Sequence, residues 1–303
     1  MRSDDLIGIG MEADAVRRRL HPEGVVSYAV GGRVCCGGLG AATEEAVERI
    51  CAEIRTTMEM GGRGVRLVRL AEAGGKARGV GEIEGLLRRV RARFPAMWVE
   101  GLTAGEVVAV AKQDGCGLRK VLVRLGDAGL DSIAGDGVRV GHDTASEWVE
   151  VQRAAHGVGM RTVAGMTFGA SVGVEQLVEA MEAVRRLQEE TGGFVAFVPR
   201  SFQPEGGGTG YSEEEPTAVG YLKVLAVSRM MLANIENVEV GGARRGLKVL
   251  QTALRFGAND AGWLMDDANG ATGAGEEDLQ RIIRDAGFRP VERDAPFRTM
   301  FLH

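Results

Sequence analysis

Four polar clusters in this 303-residue chain have side-chain types and spacings that chemistry could use. The first is Gln203 with Glu205, in the run Phe202-Gln-Pro-Glu205 that follows the apolar strand pattern Phe194–Val198. A carboxylate on a loop held by Pro199 and Pro204 has little freedom, and partial burial beneath Phe202 would raise its pKa toward the range of a general acid or base. The second is Ser228-Arg229, where the guanidinium could clamp a carboxylate through two parallel hydrogen bonds. The third is Asn259-Asp260, read as following the penultimate or last strand. The fourth is Asp136 with His142 and Asp143, a rim loop whose imidazole titrates near neutral pH. We expect Glu205 and Asp260 to be the catalytic groups. Gln203, Phe202, Arg229, Ser228, Asn259, Asp136 and Thr167 are expected to contact the ligand. Plainer alternatives stand beside these: a loop anchor for Glu205, an Asx turn for Asn259-Asp260, a helix ion pair for Arg229 and a solvated loop for Asp136 and His142.

Thiol chemistry has a weaker basis. Cys35 and Cys36 are adjacent, so their side chains diverge, and Cys51 and Cys116 lie elsewhere in the sequence. Four cysteines in a chain of this length do not form a disulfide framework, which points to a reduced, cytoplasmic protein with structural thiols and no metal site. The formal net charge is -5, and the basic runs Arg17–Arg19 and Arg88–Arg89 fall within helical patterns. Neither suggests a nucleic-acid surface. No apolar run approaches the ~20 residues of a membrane helix, and no apolar signal segment follows Met1–Asp5.

The elements that must position these groups alternate between strand and helix. Between Gly192 and Gly262 the pattern reads strand, polar loop, helix, strand, helix, polar loop. Earlier strands are expected at 24–30, 65–70, 97–99, 131–133 and 160–168. Amphipathic helices should lie between them. The helix at 4–20 should be short and peripheral, and His156, late in a helix, should sit as a cation favoured by the helix dipole. Close to eight strand–helix units predict a single (β/α)8-type, TIM-like barrel over 24–287. An N-terminal helical segment (1–23) should precede it, and a C-terminal tail (288–303) should lie back on it. In such a fold the loops after the strands carry the chemistry.

Several passages resemble the radical S-adenosylmethionine enzymes of futalosine-dependent menaquinone synthesis, dehypoxanthine futalosine cyclase above all. They are His21-Pro-Glu-Gly-Val-Val-Ser-Tyr28, Gly129-Leu-Asp-Ser-Ile133, Glu147-Trp-Val-Glu150, Arg161-Thr162 and Glu190-Thr-Gly-Gly-Phe194. Phe202-Gln-Pro-Glu205, Leu225-Ala-Val-Ser-Arg229, Phe256-Gly-Ala-Asn-Asp260 and Arg289-Pro-Val-Glu-Arg-Asp294 extend the likeness over nearly the whole chain. The resemblance implies a barrel of the radical S-adenosylmethionine kind. It also implies a C-x3-C-x2-C loop after the first strand, holding an iron–sulfur cluster. Here that loop reads Gly32-Arg-Val-Cys-Cys-Gly-Gly-Leu39. Cofactor loops elsewhere also depart from the family pattern, with Leu70-Ala-Glu72, Gly135–Arg139 and Phe168-Gly-Ala170 in place of its glycines and histidine.

Those departures lead us to expect a chain without an iron–sulfur cluster. It would bind a nucleoside-like or aromatic small molecule, with S-adenosylmethionine a candidate, and catalyse at most a polar reaction. The alternatives are a non-catalytic partner, paired as a homodimer or as a heterodimer with a radical S-adenosylmethionine relative, and a genuine cyclase whose cluster is held unconventionally.

Overall fold

The computed structural model describes residues 4–37, 43–73, 76–135, 137–140, 145–202, 215–241, 246–264, 275–298 and 300–301. Its first seven strands are β1 Val25–Ala29, β2 Gly31–Cys35, β3 Gly64–Val68, β4 Glu72–Ala73, β5 Lys76–Ala77, β6 Trp98–Gly101 and β7 Ser132–Ile133. They are followed by β8 Val138–Arg139, β9 Thr162–Phe168, β10 Phe194–Ser201, β11 Asn237–Val238, β12 Asp260–Trp263, β13 Arg289–Arg293 and β14 Met300–Phe301. Three sheets run β2-β3-β6-β7, β8-β9-β10-β11 and β12-β1-β13-β14. Val30 alone separates β1 from β2, and a parallel bridge between Glu239 and Asp260 ties the β11 edge to β12. Within the three sheets, pairing is parallel except for β13 with β14. This is an α/β barrel-type arrangement.

The helices form where the sequence supplies a start, a stripe and a stop. Thr103 and Glu106 build a reciprocal capping box at the head of the helix Ala104–Gln113, satisfying two otherwise orphaned N–H groups. In the helix Leu118–Ala128 the buried residues Val121, Leu122, Leu125 and Ala128 recur at helical spacing, and Gly129 ends it in the left-handed region. Each fully buried Leu or Val on such a stripe contributes roughly 1.5–3 kcal/mol. Arg124, at the edge of that stripe, makes a two-pronged pair with Glu84 at 2.8 Å.

Strand alternation then decides which side chains line the barrel interior. On β9, Thr162 hydrogen-bonds Gln152 and His156 of the helix Ala145–Gly157, and Phe168 stacks on Tyr221 of the helix Ala218–Met231. Val163, Gly165 and Thr167 therefore face the lumen, and register places Val198 and Arg200 of β10 beside the last two. On β2, a Cβ at Gly32 would overlap Thr57 of the helix Glu44–Glu59, whereas a Cβ at Gly31 would overlap the Trp263 ring. Arg33 and Cys35 consequently share the lumen face with Gly31.

Several expectations change. The strand at 194–201 does not break at Pro199 but continues to Ser201. The Phe202 N–H donates to Phe168 O, and Phe197 O accepts from Glu239 N. Alternate residues of β10 thus bond to β9 and to the β11 side, and the missing N–H of Pro199 falls outside the β9 ladder. The strand expected at 24–30 is followed directly by another, since after Val30 the chain runs on into β2. The N-terminal helix, Leu6–Leu20, is long and buries Gly10, Ala13, Asp14 and Arg17. His156 is not a helix-end cation: burial, then the nearby Arg161, pushes it down to about 4, and its ring bonds Thr191 and Thr162.

Candidate functional site

Trp263 of β12 lies across the lumen against Gly31 and Gly64, the two positions where any Cβ would collide with its ring. Only glycine permits that approach. Above the ring, the Arg66 guanidinium carbon sits 5.9 Å from the ring centroid, and Arg66 Nε donates to Glu100 Oε1 at 2.8 Å. The same carboxylate oxygen accepts from Gly135 N at 3.3 Å, which fixes Glu100 from a second strand connection. Register aligns Arg33, Arg66, Glu100 and Ser132 in one row across β2, β3, β6 and β7.

Below this row lies a buried charge network, in which Asp260 and Arg293 are closed off and Glu239 keeps a small exposed area. Arg293 of β13 reaches Asp260 with two donors, Nε to Oδ2 at 2.5 Å and Nη2 to Oδ1 at 2.8 Å. Ser27 Oγ donates to Oδ2 at 2.5 Å, and Gly262 N donates to Oδ1 at 2.8 Å. Phe297 covers the other side, with the Arg293 guanidinium carbon 3.5 Å from its ring centroid. Glu239 Oε2 stands 3.7 Å from Arg293 Nη2. Burial, then repulsion by Asp260, pushes the Glu239 carboxyl up to about 7, although Arg293, Arg200 and Arg66 pull the other way. A carboxyl titrating there can give or take a proton near neutral pH.

The residues singled out in the sequence divide. Asp260 opens β12 instead of following a strand, so it sits low in the barrel, and its carboxylate anchors Arg293 rather than standing as a free acid–base group. Asn259 precedes it and belongs to the strand-start end: its Oδ1 accepts from Arg229 Nη2 at 2.6 Å and from Val238 N at 2.9 Å, and its Nδ2 donates to Asn237. Arg229 also donates to Gly257 O at 2.6 Å and Glu236 O at 2.9 Å, a structural clasp in place of the expected ligand clamp. Ser228 is fully buried and bonds back to Val224 O of its own helix. Asn259 and Asp260 therefore lie at the start of β12, not after a strand as expected, and Arg229 is bonded to that same end. Thr167 does face the lumen, and Phe202 is half-buried at the end of β10. Gln203, Glu205, Asp136, His142 and Asp143 lie outside the described residues.

Glu239, Arg293, Arg66, Glu100 and Trp263 carry the lumen's character and were missed. A signal existed. Arg66 sits between Val65 and Leu67, and Glu239 between Val238 and Val240. A charge at mid-strand among apolar neighbours marks a face that is not the helix-packed one.

The thiols do not converge. Cys35 is exposed on the lumen face, whereas Cys36 is buried, its thiol within 3.8 Å of Val34 O and pushed up to about 12 by burial. Cys51 is buried between helices, where its sulfur accepts from Arg93 Nη1 at 3.2 Å. Among the described residues no group of three or more His, Cys, Asp or Glu side chains could hold a metal ion. These residues do not fit a three-thiolate cluster site, and no step is derived through one.

The parallel barrel, with a polar lumen closed below by its C-terminal strand, places the chain among α/β barrels of the radical S-adenosylmethionine kind. Methylornithine synthase has the same fold, with a TM-score of 0.62 and 14% identity over 96% of this chain and 90% of that one. The CofH/MqnC C-terminal region matches residues 191–301. A cyclic dehypoxanthine futalosine synthase from Halalkalibacterium halodurans is 28% identical over 98% of this chain and 88% of its own length. A 5-amino-6-(D-ribitylamino)uracil–L-tyrosine 4-hydroxyphenyl transferase from Methanococcoides burtonii is 30% identical over 71% of this chain and 67% of its own length. The chain belongs to the radical S-adenosylmethionine family that includes the dehypoxanthine futalosine cyclases.

That membership corrects the expectation of a chain working without an iron–sulfur cluster. Its relatives and structural neighbours are enzymes that use such a cluster together with S-adenosylmethionine. The arrangement of the described thiols is no ground for excluding cluster chemistry here. No helix among the described residues is long and apolar enough to cross a membrane.

Proposed function

We propose that this chain binds a nucleoside-like or aromatic small molecule in the barrel lumen, against Trp263, and that Glu239 exchanges a proton with it. The observation that carries this reading is the juxtaposition of a half-exposed aromatic ring with a carboxyl held near neutrality in the same lumen. A planar ring system stacks on an indole face, and ribose hydroxyls pair with carboxylates such as Glu100. The relatives support the same ligand class, since their names speak of dehypoxanthine futalosine and of a ribitylaminouracil with tyrosine.

Intrinsic fluorescence tests it. Dehypoxanthine futalosine or the ribitylaminouracil should quench tryptophan emission in the wild-type chain, and Trp263→Phe should remove that quench. Trp98 and Trp148 report elsewhere, because Trp148 is buried against Phe194 and Trp98 lies under Arg298. Quenching that survives Trp263→Phe would place any ligand outside the lumen.

A further inference from the structure

Behind β9, on the face turned from the lumen, a chain of polar groups crosses from the helix Ala145–Gly157 to the helix Val174–Thr191. Gln152 presents one end of its side-chain amide to Thr162 Oγ1 at 2.7 Å. The same hydroxyl meets His156 Nε2 at 2.9 Å, and His156 Nδ1 meets Thr191 Oγ1 at 2.7 Å. Thr191 Oγ1 donates in turn to Leu187 O at 2.8 Å. Gln152 and Thr162 are fully buried, and Gly193 lies so close to the imidazole that any Cβ there would overlap the ring. Each proton in the chain therefore has to find its acceptor inside it.

Counting protons gives the chain a direction. At neutral pH the ring is uncharged, because burial and then Arg161 hold it at about 4. The Thr191 hydroxyl is spent on Leu187 O, so Nδ1 of the imidazole is the donor between them. Nε2 is then an acceptor, and the proton it accepts is that of Thr162. With its one proton used, Thr162 Oγ1 receives from Gln152, whose amide turns Nε2 toward it and Oε1 away. The opposite direction leaves two buried donors without an acceptor, Gln152 Nε2 and Trp148 Nε1. Trp148 lies one helical turn before Gln152 on the same buried face. Helical side chains lean toward the N-terminus, so the outer end of the amide lies over that turn. Oε1 placed there gives the indole N–H its acceptor.

The charged groups on the surrounding elements do not offset a cation on this ring. Arg161, just before β9, opposes one. Arg153 and Glu190, one from each helix, pair with each other at 2.6 and 2.8 Å. Glu189 bonds Arg185, and Arg119 of the helix Leu118–Ala128 donates to Gly157 O. Thr162–Ala164 of β9 and Phe194–Ala196 of β10 carry no charge.

We propose that Trp148, Gln152, Thr162, His156 and Thr191 form a one-way hydrogen-bond chain that works as an acid-operated switch in the outer layer of the barrel. Uptake of a proton at His156 Nε2 turns that nitrogen into a donor to Thr162 Oγ1. The Thr162 hydroxyl swings to Gln152, the amide rotates to receive it on Oε1, and Trp148 loses its acceptor. The ring keeps both of its bonds, so the change is felt at the far end of the chain, where Trp148 stacks on Phe194.

Heteronuclear NMR of the full-length chain reads the direction with no substitution in the network. At neutral pH the His156 ring should carry its proton on Nδ1, and a proton on Nε2 overturns the proposal. Gln152→Glu then forces the reversal, because a carboxylate only accepts: Thr162 has to donate to it, and His156 Nε2 should hold a proton at neutral pH. A ring that stays in the Nδ1–H form in this variant removes Gln152 from the chain and overturns the switch. In the wild-type chain, acid should shift the His156 ring and the Trp148 indole N–H together over one pH range, with the indole signal assigned from Trp148→Phe. A Trp148 signal that ignores the titration of the ring overturns the switch. So does unfolding before the ring titrates, since the switch would then never operate in the folded chain.

Discussion

Two sets of arginines in this barrel have opposite fates. Arg229, at the end where strands begin, is fully buried and donates to Gly257 O, Glu236 O and Asn259 Oδ1. Arg33 and Arg200, further along the strands, face the lumen and meet no hydrogen-bonding acceptor among the described residues. The residue type is the same, and what differs is whether the backbone around it has carbonyls left over. Where strands start and helices end, carbonyls lack partners and a guanidinium can gather several at once. Within each sheet of the barrel wall the strand backbones pair with one another in the ladder, so an inward arginine there meets mainly side chains or a ligand. The comparison separates arginines that hold the fold from arginines available to recognise something.

The strongest way to break that division is at the floor, where Arg293 belongs to the first kind although it borders the site. Arg293→Ala leaves Asp260 buried with only Ser27 and Gly262 as donors. Removing one partner of a buried ion pair costs about 3–5 kcal/mol, and chemical denaturation should register that loss. A cost below about 1 kcal/mol, the range of an exposed pair, would mean that water reaches Asp260 and that the network is part of the open site. Arg229→Met comes next. It leaves Gly257 O without its donor and takes one donor each from Glu236 O and Asn259 Oδ1, which keep His21 and Val238 N, so we expect a loss of about 1–3 kcal/mol, with no change in the affinity of any lumen ligand. A lumen ligand that bound more weakly to Arg229→Met would join the two regions.

Much of this was legible from residue order alone, and the illegible part has a physical cause. Alternation of strand and helix, the Thr103–Glu106 cap and the Gly129 and Gly192 stops follow local rules that a sequence states openly. The barrel-end assignment of Asn259-Asp260 did not, because a short strand such as Asp260–Trp263 has no periodicity of its own, and a polar pair can lie on either side of it. Arg293 was hidden for a different reason. Its partner lies 33 residues earlier, and nothing local in Pro290–Asp294 says that this segment pairs with β1 and reaches inward. Trp263 gave no signal of its own, because an indole ring in a lumen and one in a core look alike in sequence until Gly31 and Gly64 are seen beneath it.

Glu239 sharpens the comparison through pH. Its folded-state value of about 7 lies above the ordinary glutamate value of about 4.3. Between those values the folded chain holds a proton that the unfolded chain has lost, so stability falls as pH rises across that window. Glu239→Gln removes the titration, and the stability difference between variant and wild type should therefore grow from pH 4 to pH 7. We expect a change on the order of 1–3 kcal/mol, reduced because Asp260 and Arg293 share the charge. Urea midpoints at four or five pH values would measure it. A parallel pair of profiles would show that Glu239 titrates as an ordinary exposed carboxylate, and it would then lose its place as the proton-exchanging group.

Arg33→Gln should do least to the fold, and that small effect is informative. Arg33 is exposed, forms no described hydrogen bond and stands beside the like charge of Arg66 in the β2–β3 register. Replacing it removes a repulsion and breaks nothing. Surface substitutions away from caps, pairs and cores change stability by about 0.5 kcal/mol or less in either direction, and the lost repulsion favours a slight gain. The melting temperature of Arg33→Gln should therefore match or slightly exceed that of the wild type. The gain should shrink in high salt, where the Arg33–Arg66 repulsion is already screened. A loss of more than about 1 kcal/mol, beyond that surface range, would mean that Arg33 holds part of the protein together. It would then belong with Arg229 and no longer with Arg200.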